Sequence, residues 1–226
     1  MIRQSQVAPP RVRIRAPARL HLGFLDMEGG LGRRFGSLGV TLEELWTELL
    51  VSPAQAFAVT GAAEAERARA MLERLAAAWD LPPLHVAIQR TIPTHAGLGS
   101  GTQLALALGV AAARAAGIDR SAREVALLLE RGARSGIGIG AFEQGGFLVD
   151  GGRGADGLPP PLIARLRPSP EYSYFVACLH PLFPEPGTTM STVTRPFSFV
   201  TVTFFSIAAP PPGGVTRTVK SPSFGK

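Results

Sequence analysis

From Arg11 to Ala16 the chain reads Arg-Val-Arg-Ile-Arg-Ala, a strict alternation of charged and apolar positions. A period of two predicts a half-buried strand. Pro17 predicts its end, and Ala18 to Phe24 a second short extended piece. Asp26 to Gly36, with four glycines and the adjacent Arg33 and Arg34, reads as a flexible loop. Ser37 to Leu42 is again strand-like, with Glu48 to Val59 as a continuation of the sheet. Glu64 to Asp80 places its alanines, Met71, Leu72, Leu75 and Trp79 at helical spacing, and Pro82-Pro83 stops it. Leu84 to Ile88 alternates as a strand. Thr102 to Ala116 is rich in alanine and leucine and apolar almost all round, so it predicts a buried helix closed by Gly117. Ser121 and Glu124 form a capping box for a helix running to about Arg131. Ser135 to Gly146 is glycine-dense, and Gly146 to Asp150 reads as a buried strand before a turn at Gly151-Gly152.

Past Pro159 the character changes. Leu162 to Val176 offers one more strand, and β-branched and aromatic residues cluster in Phe197 to Ile207. From about residue 180 the chain is rich in Pro, Ser, Thr and Phe, and no acidic residue follows Glu185. The net charge of +6 arises mainly there, because up to Glu185 the 17 acidic residues face 19 arginines. A nucleic-acid partner is therefore not expected, and a few placed arginines suit an anionic small molecule equally well. The single cysteine, Cys178, excludes an intrachain disulfide and a cysteine metal cluster, and is given no role. Neither a signal peptide nor an apolar span of ~20 residues is found, so a soluble, cytoplasmic protein without membrane contact is expected. At 226 residues and 46% hydrophobic content, a sizeable core is expected.

The stretch with chemical promise is Pro93-Thr94-His95-Ala96-Gly97-Leu98-Gly99-Ser100-Gly101-Thr102-Gln103. A strand, a glycine turn and a helix start present free backbone N–H groups and the positive end of a helix dipole to an anion. Glycines at 97, 99 and 101 let phosphate approach the main chain, and Ser100 and Thr102 add hydroxyl donors. The lysine of a Walker loop and the spacing of a dinucleotide fingerprint are both lacking.

Pro-x-x-x-Gly-Leu-Gly-Ser-Gly ahead of an alanine-rich helix resembles the phosphate-binding motif of the GHMP kinase superfamily, over about residues 10 to 152. The resemblance implies an α+β domain of the ribosomal protein S5 domain 2-like, two-layer type. One departure matters: many kinases of that superfamily carry an aspartate where this chain has Gly138, and without it a hydroxyl nucleophile loses its base or orienter. Ala18 to Asp26, Gly36 to Val40 and Arg134 to Phe147 together resemble the β-ribofuranosylaminobenzene 5′-phosphate synthases, which share the fold but are not kinases. Their reaction joins the ribose 5-phosphate of phosphoribosyl pyrophosphate to 4-aminobenzoate or 4-hydroxybenzoate, releasing pyrophosphate and CO₂ on the way to methanopterin.

That resemblance implies Mg²⁺ with the pyrophosphate, its protein ligands left unassigned, and is compatible with a homodimer. It implies substrate contacts from Arg19, Thr94, Gly97, Leu98, Gly99, Ser100, Gly101, Thr102 and Gln144, with Arg33 or Arg34 as further partners for a carboxylate or the 5′-phosphate. Asp26 and Glu143 are the candidates for stabilising a cationic ribose, and His21 for a pocket role. Glu130, near a helix end, could hold Mg²⁺ but sits close to Ser135 and reads better as a solvated charge. His95 occupies a position of the loop that commonly varies. Family members are longer, so the expected organisation is a GHMP-type domain at 10–152, the start of a C-terminal region at 153–179 and an aberrant or disordered tail at 180–226, with the second, ferredoxin-like domain largely missing. Two other readings stay open: an ATP-dependent small-molecule kinase of the superfamily, and an inactive phosphate-binding fragment.

Overall fold

The computed structural model describes residues 11–61, 64–167, 174–179 and 200–205. Two compact units are present, Met1–Pro168 and Ser169–Lys226. In the first, eight apolar-patterned segments become six strands and two long helices, joined by two short helices. The strands are β1 (Val12–Leu25), β2 (Gly36–Pro53), β3 (Ala58–Thr60), β4 (Leu84–Arg90), β5 (Phe147–Asp150) and β6 (Leu162–Leu166). They form one sheet in the order β3-β4-β2-β5-β6, with β1 lying along β2. The helices are α1 (Ala65–Trp79), α2 (Ser100–Ala115), α3 (Ala122–Leu128) and α4 (Ile137–Glu143).

One core joins the layers. Ala16, Leu49, Val51, Leu84 and Val86 from the sheet meet Leu72, Leu75, Leu104 and Leu108 from the helices, all buried. This is the expected two-layer α+β architecture. α2 is buried on nearly every side, which is why its sequence lacks a polar face. Gly117 closes it, with the Gly117 and Ile118 amides donating to Arg114 and Ala113 carbonyls at 3.1 and 3.0 Å. The Ser121–Glu124 capping box forms as the sequence predicts.

Two local expectations are corrected, and one stretch read only as glycine-dense gains a helix. Pro17 does not end a strand, because β1 pairs only with β2 and the register shifts between Pro17 and Ala18. An edge strand at an irregularity tolerates a missing N–H. Helix α3 stops at Leu128 instead of near Arg131: Glu130 takes a left-handed conformation (φ 56°), and the Arg131 amide turns back to the Ala126 carbonyl at 2.6 Å. The glycine-dense stretch after Ser135 contains a helix, α4, whose Ile137 and Ala141 pack with Leu148 of β5.

The sheet continues past residue 152, since β6 pairs with β5. In the second unit, β7 (Tyr174–Leu179) and β8 (Val200–Phe205) pair in parallel, so the strand signal read at 197–207 is a strand over its described residues, 200–205. The remaining expectations for 180–226 lie outside the described residues. Among the described residues, no helix is long and apolar enough to cross a membrane.

Candidate active site

β4 delivers the chain to a tight loop ahead of α2. His95, Gly97 and Gly99 adopt φ of 58°, 73° and 81°, a series of left-handed turns that glycine accepts without strain. Leu98 is buried and anchors the loop. Gly99 occupies the N-cap of α2 with no side chain to satisfy the helix start, and its carbonyl accepts from the Thr102 and Gln103 amides at 3.1 and 3.0 Å. The Ser100 and Gly101 amides find no acceptor among the described residues. These are donors of the kind an anion uses.

Arginines surround this helix start. The Arg19 amide donates to the Leu98 carbonyl at 3.1 Å, and Arg19 Nη1 donates to the Gly97 carbonyl at 3.0 Å. Its guanidinium lies so close under Gly99 that a Cβ there would stand 2.7 Å from Cζ. Arg67 of α1 approaches Gly101 in the same way, with Nη2 at 2.2 Å from where a Cβ would be. A side chain at either glycine would push an arginine head away from the loop.

A cavity of about 410 Å³ opens here, lined by Arg19, His21 and Phe24 of β1, Thr102 of α2, the 130–135 turn and Gly138. Arg131 and Arg134 come from that turn; Glu130 is the one carboxylate in the lining. Burial draws the Arg131 pKa down, as do its neighbours Arg67 and Arg74, against the pull of Glu130. Burial likewise lowers that of Arg19. The Nε atoms of Arg19 and Arg131 are buried without a hydrogen-bond partner among the described residues. Clustered, partly desolvated guanidinium groups with unused donors are a standing demand for an anion. His21 is pushed below its ordinary value by burial and by Arg19, while Asp150 acts in the opposite direction.

The turn carrying the arginines is held by a residue that sequence reasoning missed. Asp150, 1% exposed, accepts at Oδ1 from the Ser37 and Gly152 amides, both at 3.0 Å. Its Oδ2 accepts from Ser37 Oγ at 2.6 Å, Ser135 Oγ at 2.7 Å and the Gly136 amide at 2.8 Å. One carboxylate thus ties β2, β5 and the entry to α4 together. Nothing but its place at a strand end marked it in the sequence.

The predicted residues divide. Arg19, His21 and Thr102 line the cavity, and Gly97 to Gly101 form the loop beside it; Thr94 and His95 are exposed on that loop. Asp26 is spent on its own turn. Its Oδ1 accepts from the Gly29 and Gly30 amides and its Oδ2 from Leu31, at 3.0, 2.9 and 2.8 Å, and these bonds lower its pKa, the Leu31 bond most. Glu143 lines a different cavity, near Arg114 and Ser121, where burial raises its pKa. Gln144 caps α4, and its carbonyl accepts from Arg165. Arg33 donates to the Gly152 carbonyl at 3.0 Å, and Arg34 pairs through its backbone with Arg153. The structure therefore does not bring Asp26, Glu143, Gln144, Arg33 or Arg34 to the loop. Arg67, Arg131 and Arg134 are the additions. Each is an ordinary surface arginine by sequence, recognisable only once α1 and the 130–135 turn converge. Among the described residues, no three His, Cys, Asp or Glu side chains gather as a metal site.

Residues 59–146 match the family described as GHMP kinases N terminal domain. Two curated relatives are each named beta-ribofuranosylphenol 5'-phosphate synthase. The protein from Methanothermobacter thermautotrophicus is 35% identical over 189 residues, covering 73% of this chain and 56% of its own. That from Archaeoglobus fulgidus is 31% identical over 167 residues, covering 69% and 53%. The chain thus spans about half the length of the curated relatives it matches. A crystal structure from Campylobacter jejuni, designated a presumptive sugar kinase, superposes with a TM-score of 0.53 at 16% identity, covering 73% of this chain and 58% of that one; it shares the fold.

Proposed function

Taking residues 59–146 as a GHMP kinases N-terminal domain, we propose that the cavity at the start of α2 binds phosphoribosyl pyrophosphate. The protein then joins its ribose to 4-hydroxybenzoate or 4-aminobenzoate, in the cytoplasm, in the synthesis of a methanopterin-type coenzyme. The observation that carries this reading is the charge of the cavity: Arg19, Arg131 and Arg134 against the single carboxylate of Glu130.

The reaction demands that imbalance. The C1–O bond of the ribose breaks, and pyrophosphate departs with the electron pair. The ring carbon bearing the carboxylate forms the new C–C bond to C1. The C–CO₂ bond then breaks, and its electrons restore the aromatic ring. No proton has to be removed, so no general base is required. What the site must supply is neutralisation of the leaving pyrophosphate, which arginines and main-chain amides provide in a partly desolvated pocket.

Mg²⁺ fits this site as an ion brought in on phosphate oxygens, a habit that needs only one or two protein carboxylates. Glu130 and the Thr102 hydroxyl both line the cavity and would hold it, and the ion would supply further charge neutralisation. In the structure Glu130 keeps the solvated role that sequence spacing favours, its side chain 81% exposed and its Oε1 3.2 Å from Arg74 Nη2, so holding Mg²⁺ would mean giving up that ion pair.

A kinase would instead need a carboxylate near the hydroxyl it phosphorylates. At Gly138 an added Cβ would already stand 2.9 Å from Thr102 Cγ2. The name of the relatives, a ribofuranosylphenol 5'-phosphate synthase, supports 4-hydroxybenzoate as the first acceptor to try. The test is release of labelled CO₂ from carboxyl-labelled 4-hydroxybenzoate or 4-aminobenzoate by the 226-residue chain, with phosphoribosyl pyrophosphate and Mg²⁺ present. Pyrophosphate binding without CO₂ release would leave a phosphate-binding protein only, and ATP-dependent phosphorylation of a small alcohol would favour the kinase.

A further inference from the structure

We infer that Phe24 is the platform on which the aromatic ring of the acceptor acid lies, an assignment that rests on the synthase reading above. Along β1, Arg19, Leu20 and His21 face Thr41, Val40 and Gly39 of β2, but Phe24 faces Ser37. One extra residue has therefore entered β1 between His21 and Phe24, at Gly23, whose φ of 100° only glycine adopts readily. In a regular strand, residues three apart point to opposite faces. The bulge reverses this and sets Phe24 beside His21, with ring centroids 5.0 Å apart. Bulges next to active sites commonly re-aim a side chain in this way.

The re-aimed ring is also braced. Phe35 packs edge-on against it at 5.6 Å, while itself holding a left-handed backbone, φ 60°. That conformation is costly for a bulky residue and persists only where surroundings impose it. Here the surroundings are the Asp26 turn: the Phe35 amide donates to the Asp26 carbonyl at 3.2 Å, and the Asp26 carboxylate fixes the turn at residues 29–31. Asp26 is thus a positioning residue for Phe35, which is a role different from charge stabilisation.

Phe24 is 45% exposed and lines the cavity, so an apolar face is kept open to whatever enters. The result along β1 is a graded row: Arg19 at the anion loop, His21 in the middle, Phe24 at the far end. A benzoate matches that row, its flat ring covering Phe24 and its carboxylate turned toward the arginine end.

The experiment titrates 4-hydroxybenzoate, and its saturated analogue trans-4-hydroxycyclohexanecarboxylate, into the 226-residue chain loaded with pyrophosphate and Mg²⁺, by calorimetry. The wild type is expected to prefer the aromatic acid. Phe24→Ala should weaken its binding about tenfold, Phe24→Leu should abolish the preference over the saturated acid, and Phe24→Trp should keep it. Pyrophosphate affinity should be equal in all four proteins, and the exposure of the side chain leaves the fold intact in each. Equal aromatic-acid binding by wild type and Phe24→Ala overturns the platform while leaving the synthase reading standing. So does pyrophosphate binding with no aromatic-acid binding at all. A wild type that fails to bind pyrophosphate overturns the synthase reading itself, and the platform with it.

Discussion

Gly138 of α4 lies against Thr102 of α2 so closely that a Cβ on the glycine would stand 2.9 Å from Thr102 Cγ2. Both residues line the cavity, so this contact sets how near the two helices stand at the anion loop. Ordinarily, glycine to alanine within a helix gains about 1 kcal/mol. Here the gain should be reversed by overpacking, at about 1–3 kcal/mol. Urea unfolding of Gly138→Ala is expected to show a lower midpoint at unchanged slope. Gly138→Asp should lose stability as well, and should bind pyrophosphate more weakly, because its carboxylate would compete for the arginines. It should not acquire ATP-dependent phosphoryl transfer.

Arg131 is expected to separate binding from stability. Burial, Arg67 and Arg74 all disfavour its charge, so removing that charge relieves repulsion within the fold. Arg131→Gln should leave the urea midpoint unchanged or raise it. The same substitution should weaken pyrophosphate binding about tenfold or more, as expected for loss of a charge-assisted hydrogen bond. Calorimetry and unfolding on one preparation check both signs. A fall in stability with binding unchanged would contradict the placement of Arg131 at the anion.

How far the sequence reveals this site depends on the range of each signal. The loop at 93–103 is legible because its cause is local: glycines, a preceding strand and a following helix lie within one short stretch. The capping box of Ser121 and Glu124 is legible for the same reason. Arg67 and Arg131 are not, since neither has any local mark and they reach the loop only through the packing of α1 and the turn after α3. Asp26 illustrates the converse. A carboxylate just past a strand end suits both catalysis and turn formation, and only its three amide partners decide for the turn. In α4, glycine content argues against a helix by propensity, and close packing overrides it.

Asp150 supplies a test of the scaffold under the arginine turn. Both of its oxygens face donors alone: three amides and two hydroxyls. An asparagine there must turn its own NH₂ toward some of those donors, leaving them unsatisfied in a buried site. Asp150→Asn should therefore cost about 2–4 kcal/mol in urea unfolding, and pyrophosphate binding should fall with it because Ser135 and Gly136 lose their anchor. Asp150→Asn with wild-type stability would show that the network is incidental.

At the opposite end of the β1–β2 pair, stability should depend on pH. Glu48 has a side chain only 7% exposed and pairs with Arg13 and Arg15. Hydrogen bonding from Trp46 Nε1, at 3.0 Å, is the largest influence on it, ahead of the two arginines, and its pKa is lowered from 4.5 to about 2. Between those two values the unfolded chain binds a proton that the folded one refuses, so stability rises with pH across that window. The contribution is complete above the unfolded value and is lost as pH falls through the folded one. Urea midpoints measured from pH 5 down to about 2 should therefore drop more steeply for the wild type than for Glu48→Gln, which cannot titrate at this position. Trp46 also stacks under the Arg90 guanidinium, with Cζ 3.9 Å from the ring centroid, so its fluorescence should report the same transition. Identical pH slopes for the two proteins would mean that the Glu48 carboxylate titrates alike in the folded and unfolded chains.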